Sequence, residues 1–251
     1  MTALGLGAIL SGGSPTSEFL PSNIDDCKLW FTYEEGLTLD GSLVNCWTSQ
    51  VGSFYGVPST VHNDDSPGTD RPTFNTTHVT FDGGDDIDLM AACGYDTDEA
   101  PLTLVTINGG WTVLAIYTDG DWDGAHQVIF GKTSDSADFL RHDSGIDRFR
   151  FKANSSANKM LTLDSGLTDD QYYCIMVTSA ADGTLTLYVD NVAQSATPSI
   201  ASTDDFVISA LGQRGASDRL SGHIKHAVAY DRILTSDERS QIQDWASEYI
   251  G

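Results

Sequence analysis

The stretch RLSGHIKHAVAYDRILTSDERSQIQDWASEYI, which runs from Arg219 to Ile250, decides the fold of this chain. Its first half alternates with a period of two, as expected for a β-strand. The two faces of that predicted strand would carry Ile224, His226, Val228 and Tyr230 on one side, and His223, Lys225, Ala227 and Ala229 on the other. We therefore expect the stretch to begin as one strand of a sheet.

The second half of the same stretch has helical spacing. An apolar stripe at positions i, i+3, i+4 and i+7 is formed by Ile242, Trp245, Ala246 and Tyr249. Thr235 and Glu238 have the spacing of a capping box, in which a hydroxyl and a carboxylate each accept a backbone N–H at the helix start. The stretch therefore predicts a strand, a tight turn and one terminal helix.

The composition indicates a globular chain with a substantial core. Of its 251 residues 40% are hydrophobic, which is enough for one large β domain or two small ones. No apolar run approaches the roughly 18 residues that a membrane-spanning helix requires. We therefore expect a soluble protein without membrane insertion.

The charge is strongly negative, because 36 Asp and Glu against 13 Lys and Arg give a net charge of −23. Only six of the 36 acidic residues are Glu, which leaves 30 Asp. Asp favours turns and strand ends, since its short side chain bonds nearby backbone amides, so the excess indicates a loop-rich β protein. The charge repels phosphate groups, so neither nucleic acid nor an anionic membrane is an expected partner. It suits cations or a salty environment.

The four cysteines, Cys27, Cys46, Cys93 and Cys174, form no CxxC pair, which argues against a zinc site. Cys27 and Cys174 lie inside strand-like runs, where we predict free buried thiols. Because the number of cysteines is even, a disulfide remains an alternative.

Residues 1–22 are expected to form an extended N-terminal arm, since they are rich in Gly and Ser, contain Pro15 and Pro21, and show no lasting periodicity. No Lys or Arg precedes the short apolar run, so a cleaved secretory signal is not expected. The arm would need a surface to pack on, such as a neighbouring subunit. A single folded domain is predicted over residues 23–251.

The first part of that domain predicts strands separated by turns. We expect a strand around Leu29 to Tyr33, a turn at Asp40-Gly41 and a second strand ending near Trp47, together forming a first pair. Residues 51–74 indicate a long surface connection. In HVTFDGGDDIDLM, residues 78–90, the Asp-Gly-Gly-Asp turn is expected to reverse the chain between two alternating runs.

The second part predicts the centre of a sheet and a clear hairpin. Trp111 to Tyr117 is apolar on both faces in part, which is typical of a buried central strand. Residues 171–191 contain two alternating runs around Ala181-Asp182-Gly183 and predict a hairpin. About a dozen short strands and a single terminal helix indicate an all-β, antiparallel two-sheet jelly-roll sandwich. Because strands do not alternate with helices, a parallel α/β sheet is excluded.

The order of these motifs resembles the laminin-G-like (concanavalin A-like lectin/glucanase) jelly rolls of bacterial and phage proteins. The stretches that carry the resemblance are KLWFTYEEGLTLDGSLVNCWTSQVG (28–52), VTFDGGDDIDL (79–89), WTVLAIYT (111–118), QVIFGK (127–132), QYYCIMVTSAADGTLTLYVDN (171–191) and LSGHIKHAVAYDRILTSDERSQIQDWASEYIG (220–251). The resemblance implies two antiparallel sheets, one of them curved into a concave face. It implies no single function, because this fold serves lectins, glycosidases, lyases, adhesion modules and virion parts.

The sequence lacks the carboxylate pattern of retaining glycosidases on this fold, which place two carboxylates on one strand in a Glu-x-Asp-x-Glu arrangement. Glu34 and Glu35 are adjacent and would point to opposite faces of a strand. Asp86 and Asp88 have same-face spacing but directly follow a turn, where a structural role is expected. We find no GxSxG, HExxH or phosphate-binding glycine motif. Hydrolase activity is therefore not expected.

The strongest local signal for a ligand is Asp119-Gly120-Asp121-Trp122-Asp123-Gly124. In this DxDxDG pattern, carboxylates at alternate positions can converge on Ca²⁺ while the glycine allows the turn. We therefore predict Asp119, Asp121 and Asp123 as candidate calcium ligands. The twelfth position is Phe130 rather than the bidentate Glu of an EF-hand, so a solvated acidic turn is the alternative.

Trp122 lies at the tip of the same loop, where its ring could stack on a sugar. The alternative is that Trp122 folds back onto the sheet as a lid on the core. His126 and Arg141 are close to the loop in sequence, and we predict that they bind a ligand together with Trp122.

Three functions from different classes remain. The first, which we favour, is a non-catalytic structural or adhesion module of a larger assembly, in particular a bacteriophage virion protein such as a capsid decoration or tail-associated protein. It would contact neighbouring subunits through the arm, expose a possible glycan-binding surface and belong to a virion or an extracellular surface. The alternatives are a free carbohydrate-binding lectin and a glycan-cleaving enzyme, which the missing carboxylate pair disfavours.

Overall fold

The computed structural model of the chain describes residues 19–58, 71–93, 104–107, 110–119, 126–132, 138–143, 147–154, 157–201, 204–215 and 218–250. A 3-10 turn spans Pro21–Asn23 and one α-helix, α1, spans Ser236–Ile250. The strands in chain order are β1 (Cys27–Thr32), β2 (Leu37–Asp40), β3 (Leu43–Thr48), β4 (Tyr55–Val57), β5 (Thr73–Asn75), β6 (His78–Asp82), β7 (Ile87–Met90), β8 (Leu104–Ile107), β9 (Trp111–Asp119), β10 (Gln127–Gly131), β11 (Phe139–His142), β12 (Arg148–Lys152), β13 (Lys159–Thr162), β14 (Tyr173–Ser179), β15 (Leu185–Val189), β16 (Val192–Ala193), β17 (Phe206–Ile208), β18 (Ala210–Leu211), β19 (Gln213–Arg214), β20 (Asp218–Arg219) and β21 (Ser221–Tyr230).

The strands form the two-sheet antiparallel sandwich that the sequence predicts. One sheet, here called the back sheet, has the order β16-β15-β14-β9-β21, and β21 then pairs with both β1 and β6, the latter followed by β5. The other, the front sheet, has the order β13-β12-β11-β10-β18-β7-β4-β3-β2. In the part of the chain that the structure describes, one pairing, Leu43 with Thr73, joins the two sheets at one edge.

The main core lies between the two sheets. From the back sheet, Trp111 in β9 places its ring 5.1 Å from that of Phe151 in β12 of the front sheet. Every residue of β9 is buried, because its odd-numbered side chains face the front sheet while Leu114 and Ile116 face the opposite way. The predictions of a central strand at 111–117 and of the β14–β15 hairpin are therefore confirmed.

Helix α1 covers the outer face of the back sheet. Ile242, Trp245 and Ala246 are buried there against Leu114 and Ile116, as the apolar stripe predicts. The capping box is also confirmed, because the backbone N–H of Thr235 donates to Glu238 Oε2 over 2.8 Å and that of Glu238 donates to Thr235 Oγ1 over 3.3 Å. Helix α1 thus covers the back sheet. In the front sheet every residue of β7, β10 and β11 is buried, whereas the outward residues of β12 are partly exposed.

Strand β21 does not keep one alternation over its whole length, which corrects the predicted faces. The register with β9 shifts between Ile224 and His226, which is a β-bulge. Ile224 therefore joins Ala227 and Ala229 in the core between the sheets, whereas Val228 faces the helix. A period of two cannot detect the extra residue, because a bulge changes the side-chain direction without changing the residue types.

The pairing of the first strand was predicted wrongly. Strand β1 pairs with β21, with Trp30 opposite Val228, and the hairpin at Asp40-Gly41 is formed by β2 and β3 instead. Gly41 has a φ of 64°, a conformation that glycine adopts without steric cost. Alternation and turn residues predict where strands occur, but the partner of β1 lies at the other end of the chain.

Two further predictions for residues 51–90 need correction. The Asp-Gly-Gly-Asp turn does not form a hairpin: β6 pairs with β21 in the back sheet, whereas β7 pairs with β4 and β18 in the front sheet. The connection at 51–74 also contains a strand, β4, whose Val57 is fully buried. At Gly56 a Cβ atom would lie 2.5 Å from Ile87 Cγ2, so this glycine allows the close packing of β4 on β7.

Two of the four cysteines are free thiols and two form a disulfide, so both of the predicted alternatives occur. Cys27 and Cys174 are free thiols, as predicted. Cys174 is buried, at 1% exposed, whereas Cys27 is only partly buried. Burial raises the pKa of the Cys27 thiol to about 12, so it is not a reactive thiolate. Cys46 and Cys93 form a disulfide with a Cα–Cα distance of 5.8 Å, which ties β3 to the segment after β7.

Reduction of the Cys46–Cys93 disulfide is expected to lower the free energy of unfolding by about 2–4 kcal/mol, because the bond restricts the unfolded chain over a sequence separation of 47 residues. Urea unfolding with and without reductant measures this, and a Cys46→Ala/Cys93→Ala variant, insensitive to reductant, is the control. Thiol titration of the denatured, unreduced protein should give the two free thiols. A titre of four would contradict the pairing.

Residues 19–22, the last part of the predicted arm, pack on the helix-covered side. The hydroxyl of Tyr230 donates to the carbonyl oxygen of Pro21 over 2.9 Å, and Phe19 packs against the cluster that contains Trp245. The rest of the predicted arm, residues 1–18, lies outside the described residues. No helix in the described part of the chain is long and apolar enough to cross a membrane.

Candidate functional site

The structure brings together two of the residues that the sequence singles out, His126 and Arg141. Both contact the same carboxylate, that of Asp143, which directly follows β11. His126 Nδ1 lies 3.5 Å from Asp143 Oδ1, and Arg141 donates to that oxygen from Nε over 3.2 Å. The Asp143 side chain is only 1% exposed, so this carboxylate is buried under the side chains that contact it, including those of His126 and Arg141.

Two more arginines reach Asp143 from the neighbouring strand. In β12 the inward residues are Phe149 and Phe151, so Arg148 and Arg150 point outward from the front sheet. Arg148 Nε and Arg150 Nη2 donate to Asp143 Oδ2 over 3.2 Å and 2.6 Å. One buried carboxylate therefore orders three guanidinium groups on the outer face of the front sheet.

A small hairpin supplies a fourth arginine. Strands β19 and β20 pair with each other and lie over β10, where Gly131 makes room: a Cβ atom there would lie 1.9 Å from the carbonyl oxygen of Gln213. The hairpin carries Asp218, which forms ion pairs with Arg141 and, over 3.0 Å, with Arg214. The group of Arg141, Arg148, Arg150 and Arg214 is called the arginine cluster below.

An aromatic ring supports the cluster from within. Phe139 in β11 is fully buried although it lies on the outer face of the sheet, because the guanidinium carbons of Arg214 and Arg141 lie 4.4 Å and 5.2 Å from its ring centroid. Such cation–π contacts hold a guanidinium plane in one orientation. The cluster is therefore an ordered array of donors.

The cluster is positive in a protein that is otherwise strongly negative. Its four arginines face two described carboxylates, those of Asp143 and Asp218, so these six groups sum to +2 within a chain of net charge −23. The pKa of His126 is lowered, first by desolvation and then by the nearby Arg141. The imidazole beside the cluster is thus held neutral near pH 7.

Of the residues of this site, only His126 and Arg141 are predicted from the sequence. Asp143 and Asp218 were not singled out, and Arg148, Arg150 and Arg214 were not connected with Arg141. One signal was available, because the alternation Arg148-Phe149-Arg150-Phe151 places two arginines on one face of a strand. The contribution of the β19–β20 hairpin could not be read from spacing.

The calcium prediction stays a prediction. Asp121, Asp123 and Trp122 lie outside the described residues. Asp119 ends β9 and is fully buried, with Oδ2 at 3.8 Å from Nδ1 of His142 in the front sheet. Among the described residues, no group of three or more His, Cys, Asp or Glu side chains could hold a metal ion.

A cavity of about 590 Å³ lies on the opposite, helix-covered side of the molecule. Its lining includes the aromatic side chains of Trp30, Trp245 and Tyr249 together with Glu34 and Glu35. The expectation that the two glutamates point to opposite faces of a strand is wrong, because they lie in the turn after β1 and line one cavity. The Tyr249 hydroxyl donates to Glu34 Oε2 over 3.0 Å.

Beneath this cavity His226 is fully buried among aromatic rings. Its ring centroid lies 4.2 Å from that of Tyr249 and 4.6 Å from that of Trp245, and neither ring nitrogen has a hydrogen-bond partner among the described residues. Desolvation, followed by the charge of Lys225, lowers the pKa of His226 from 6.5 to about 3. His226 is therefore a neutral core residue.

Acidification is expected to destabilise the protein through His226. Because its folded pKa lies below the unfolded value, the unfolded chain binds the proton first, and stability is lost as pH falls from 6.5 towards about 3. Over two pH units the loss is about 3 kcal/mol. Urea unfolding at a series of pH values should show a shallower acid slope for His226→Phe. Equal slopes for the variant and the wild type would show that His226 titrates normally.

Comparison with known proteins agrees with this architecture. A family model described as "Concanavalin A-like lectin/glucanases superfamily" matches residues 94–238, which is more than half of the chain. No curated protein matches the chain in sequence.

Several solved structures share the fold. Domain 4 of AbnA, a GH43 extracellular arabinanase from Geobacillus stearothermophilus, in complex with arabinotriose, matches with a TM-score of 0.59 and 16% identity, over 88% of this chain and 98% of that one. The ligand-binding domain of botulinum neurotoxin serotype D in complex with N-acetylneuraminic acid matches with a TM-score of 0.56 and 11% identity, over 89% and 52%.

A larger enzyme also contains a similar domain. Trypanosoma rangeli sialidase matches with a TM-score of 0.58 and 15% identity over 90% of this chain, which spans only 33% of the length of that protein. At such identities the similarity shows the fold. The fold is shared by glycan-cleaving enzymes and by carbohydrate-binding domains. Similarity of fold therefore does not distinguish catalysis from binding, and the residues of the site have to be considered for that distinction.

Proposed function

Since the chain belongs to the concanavalin A-like lectin/glucanase superfamily, we propose that it is a non-catalytic adhesion module that binds glycans at the arginine cluster. The observation that carries the proposal is the ordered set of donors on the outer face of the front sheet, held by Asp143 and Asp218 and supported by Phe139. Fixed hydrogen-bond donors are the groups with which a protein recognises sugar oxygens. Two proteins of the same fold hold sugars, which supports this choice of ligand.

The two sides of the sandwich suit different partners. Glycans would bind the front sheet, while neighbouring protein subunits would bind the helix-covered side, where residues 19–22 pack against Tyr230 and α1. We propose that the neighbouring subunit is contacted through the N-terminal arm that the sequence predicts, residues 1–22. The assembly we propose is a particle exposed outside the cell, in particular a bacteriophage virion in which this chain decorates the capsid or belongs to the tail. The Cys46–Cys93 disulfide supports an extracellular setting.

A glycan array tests the binding function. We expect the wild-type chain to bind a defined set of glycans and His126→Ala, which removes an accessible ring at the edge of the cluster, to bind them less well. The matched control is His78→Ala, which alters a histidine of β6 in the back sheet. An array without signal for the wild type would overturn the glycan-binding proposal.

Light scattering tests the assembly. We expect the full chain to form oligomers or to bind a purified particle, and a chain lacking residues 1–18 to remain monomeric. A monomeric full chain that binds no particle would contradict the assembly role and favour the second candidate, a free lectin.

A reducing-sugar release assay tests the non-catalytic character. Glu34 and Glu35 are two carboxylates that line one cavity, so Glu34→Gln/Glu35→Gln is the matched variant. We expect no release by either protein. Release by the wild type that is lost in the variant would make this chain a glycosidase.

A further inference from the structure

We propose that the arginine cluster recognises the carboxylate or sulfate groups of an acidic polysaccharide. This inference rests on the proposed glycan-binding function and names the class of glycan. The shared chemistry of the two groups is a delocalised oxyanion that can accept parallel N–H bonds from a guanidinium fork.

The donors of the cluster exceed what its own carboxylates use. Each guanidinium has five N–H donors. Within the described residues, Arg148, Arg150 and Arg214 each make one ion-pair contact, to Asp143 or Asp218. Arg148 reaches Asp143 through Nε, and Arg150 reaches it through Nη2. The Nη groups of Arg148 and Nη1 of Arg150, on partly exposed side chains, therefore remain for an incoming oxyanion.

The cluster also has the exposure that a binding surface needs. Arg141 is 4% exposed and serves as the base of the array, whereas the side chains of Arg148 and Arg150 are 28% and 20% exposed. The buried carboxylate of Asp143 holds these outer guanidiniums from beneath and leaves their outer edges available. Because the array is ordered before binding, little side-chain entropy is lost when a ligand is bound.

The remainder of the chain makes the site selective. With a net charge of −23, most of the surface repels a polyanion, so a polyanionic chain can approach closely only where positive charge is concentrated. The cluster holds four of the 13 basic residues of the chain on two strands and one hairpin. Such negative charge around a positive patch discourages non-specific binding while it permits binding in one register.

The test compares three probes by calorimetric titration: an oligogalacturonide, which carries carboxylates, a dextran sulfate oligosaccharide and a neutral dextran oligosaccharide. The variants are Arg148→Gln, which removes one outer guanidinium, and Arg148→Lys, which keeps the charge without the fork. Asp143 keeps Arg141 and Arg150 in both variants, so the fold is retained. Lys28→Gln, on β1 in the back sheet, is the control with the same change of net charge.

We expect one or both acidic probes to bind the wild type, more weakly at higher salt, and the neutral probe not to bind. Arg148→Gln should weaken the affinity for the acidic probes about tenfold, because one charge-assisted hydrogen bond is lost. Arg148→Lys should weaken that affinity by less, and Lys28→Gln should hardly change it. Binding of the oligogalacturonide or of dextran sulfate alone identifies the anionic group.

Three results would overturn the inference. Equal weakening by Arg148→Gln and Lys28→Gln would mean a general charge effect without a site. A second such result is that the array shows binding of neutral glycans, that Arg148→Gln does not change this binding, and that the acidic probes do not bind. This result would refute an acidic ligand and would leave the glycan-binding function intact. If the wild type binds no glycan at all, both the acidic-polysaccharide inference and the proposed glycan-binding function are overturned.

Discussion

Asp143→Ala is expected to lower the free energy of unfolding by about 3–5 kcal/mol, because it leaves buried positive charge without its partner. The Asp143 side chain is 1% exposed and contacts Arg141, Arg148 and Arg150. Arg141 is itself buried and, among the carboxylates of the described residues, would keep its ion pair with Asp218 alone. Mutual repulsion among the remaining guanidiniums would add to the loss. Urea denaturation of wild type and variant measures the difference.

Two companion variants separate charge from shape. Asp143→Asn keeps the size and hydrogen-bonding oxygen of the side chain but removes its charge, so an intermediate loss is expected. Asp25→Ala removes an exposed carboxylate elsewhere and should change stability by no more than about 0.5 kcal/mol. If Asp143→Ala cost no more than this control, the cluster would not depend on the buried carboxylate.

Trp245→Ala should cost a similar amount, about 3–5 kcal/mol, for a different physical reason. The indole of Trp245 is the largest side chain that α1 places against the back sheet, and it is 4% exposed. Its ring centroid lies 4.6 Å from that of His226 and 6.4 Å from that of Trp30. Truncation would leave a cavity between the helix and the sheet that the rigid strands cannot fill.

The matched control is Gln241→Ala, an exposed residue one turn earlier on α1, for which a change within about 0.5 kcal/mol is expected. Thermal unfolding followed by far-UV circular dichroism measures both variants. A loss below about 1 kcal/mol for Trp245→Ala would show that α1 adds little to the stability of the sandwich. Binding at the arginine cluster, on the opposite sheet, should be unaffected by the variant when it is folded.

Only part of the candidate site could be predicted from the sequence. His126 and Arg141 are predicted to bind a ligand because they lie near an acidic loop with a tryptophan. The structure joins them through Asp143, and their ligand-binding role stays a prediction. Arg214 lies 73 positions after Arg141 and reaches the cluster through the β19–β20 hairpin. Sequence distance alone therefore could not connect it with the others, because the contact depends on how the hairpin lies over β10.

The sequence by itself determined the class of fold, the terminal helix with its cap and the β14–β15 hairpin, since each depends on a local period or turn that residues close in the chain establish. The tertiary structure alone decided that β1 pairs with β21, that a bulge turns Ile224 towards the core and that four arginines meet over two carboxylates. The physical reason is that these features depend on which distant segments share a sheet. Local spacing contains little information about that choice, because many strands of similar pattern could have served as partners.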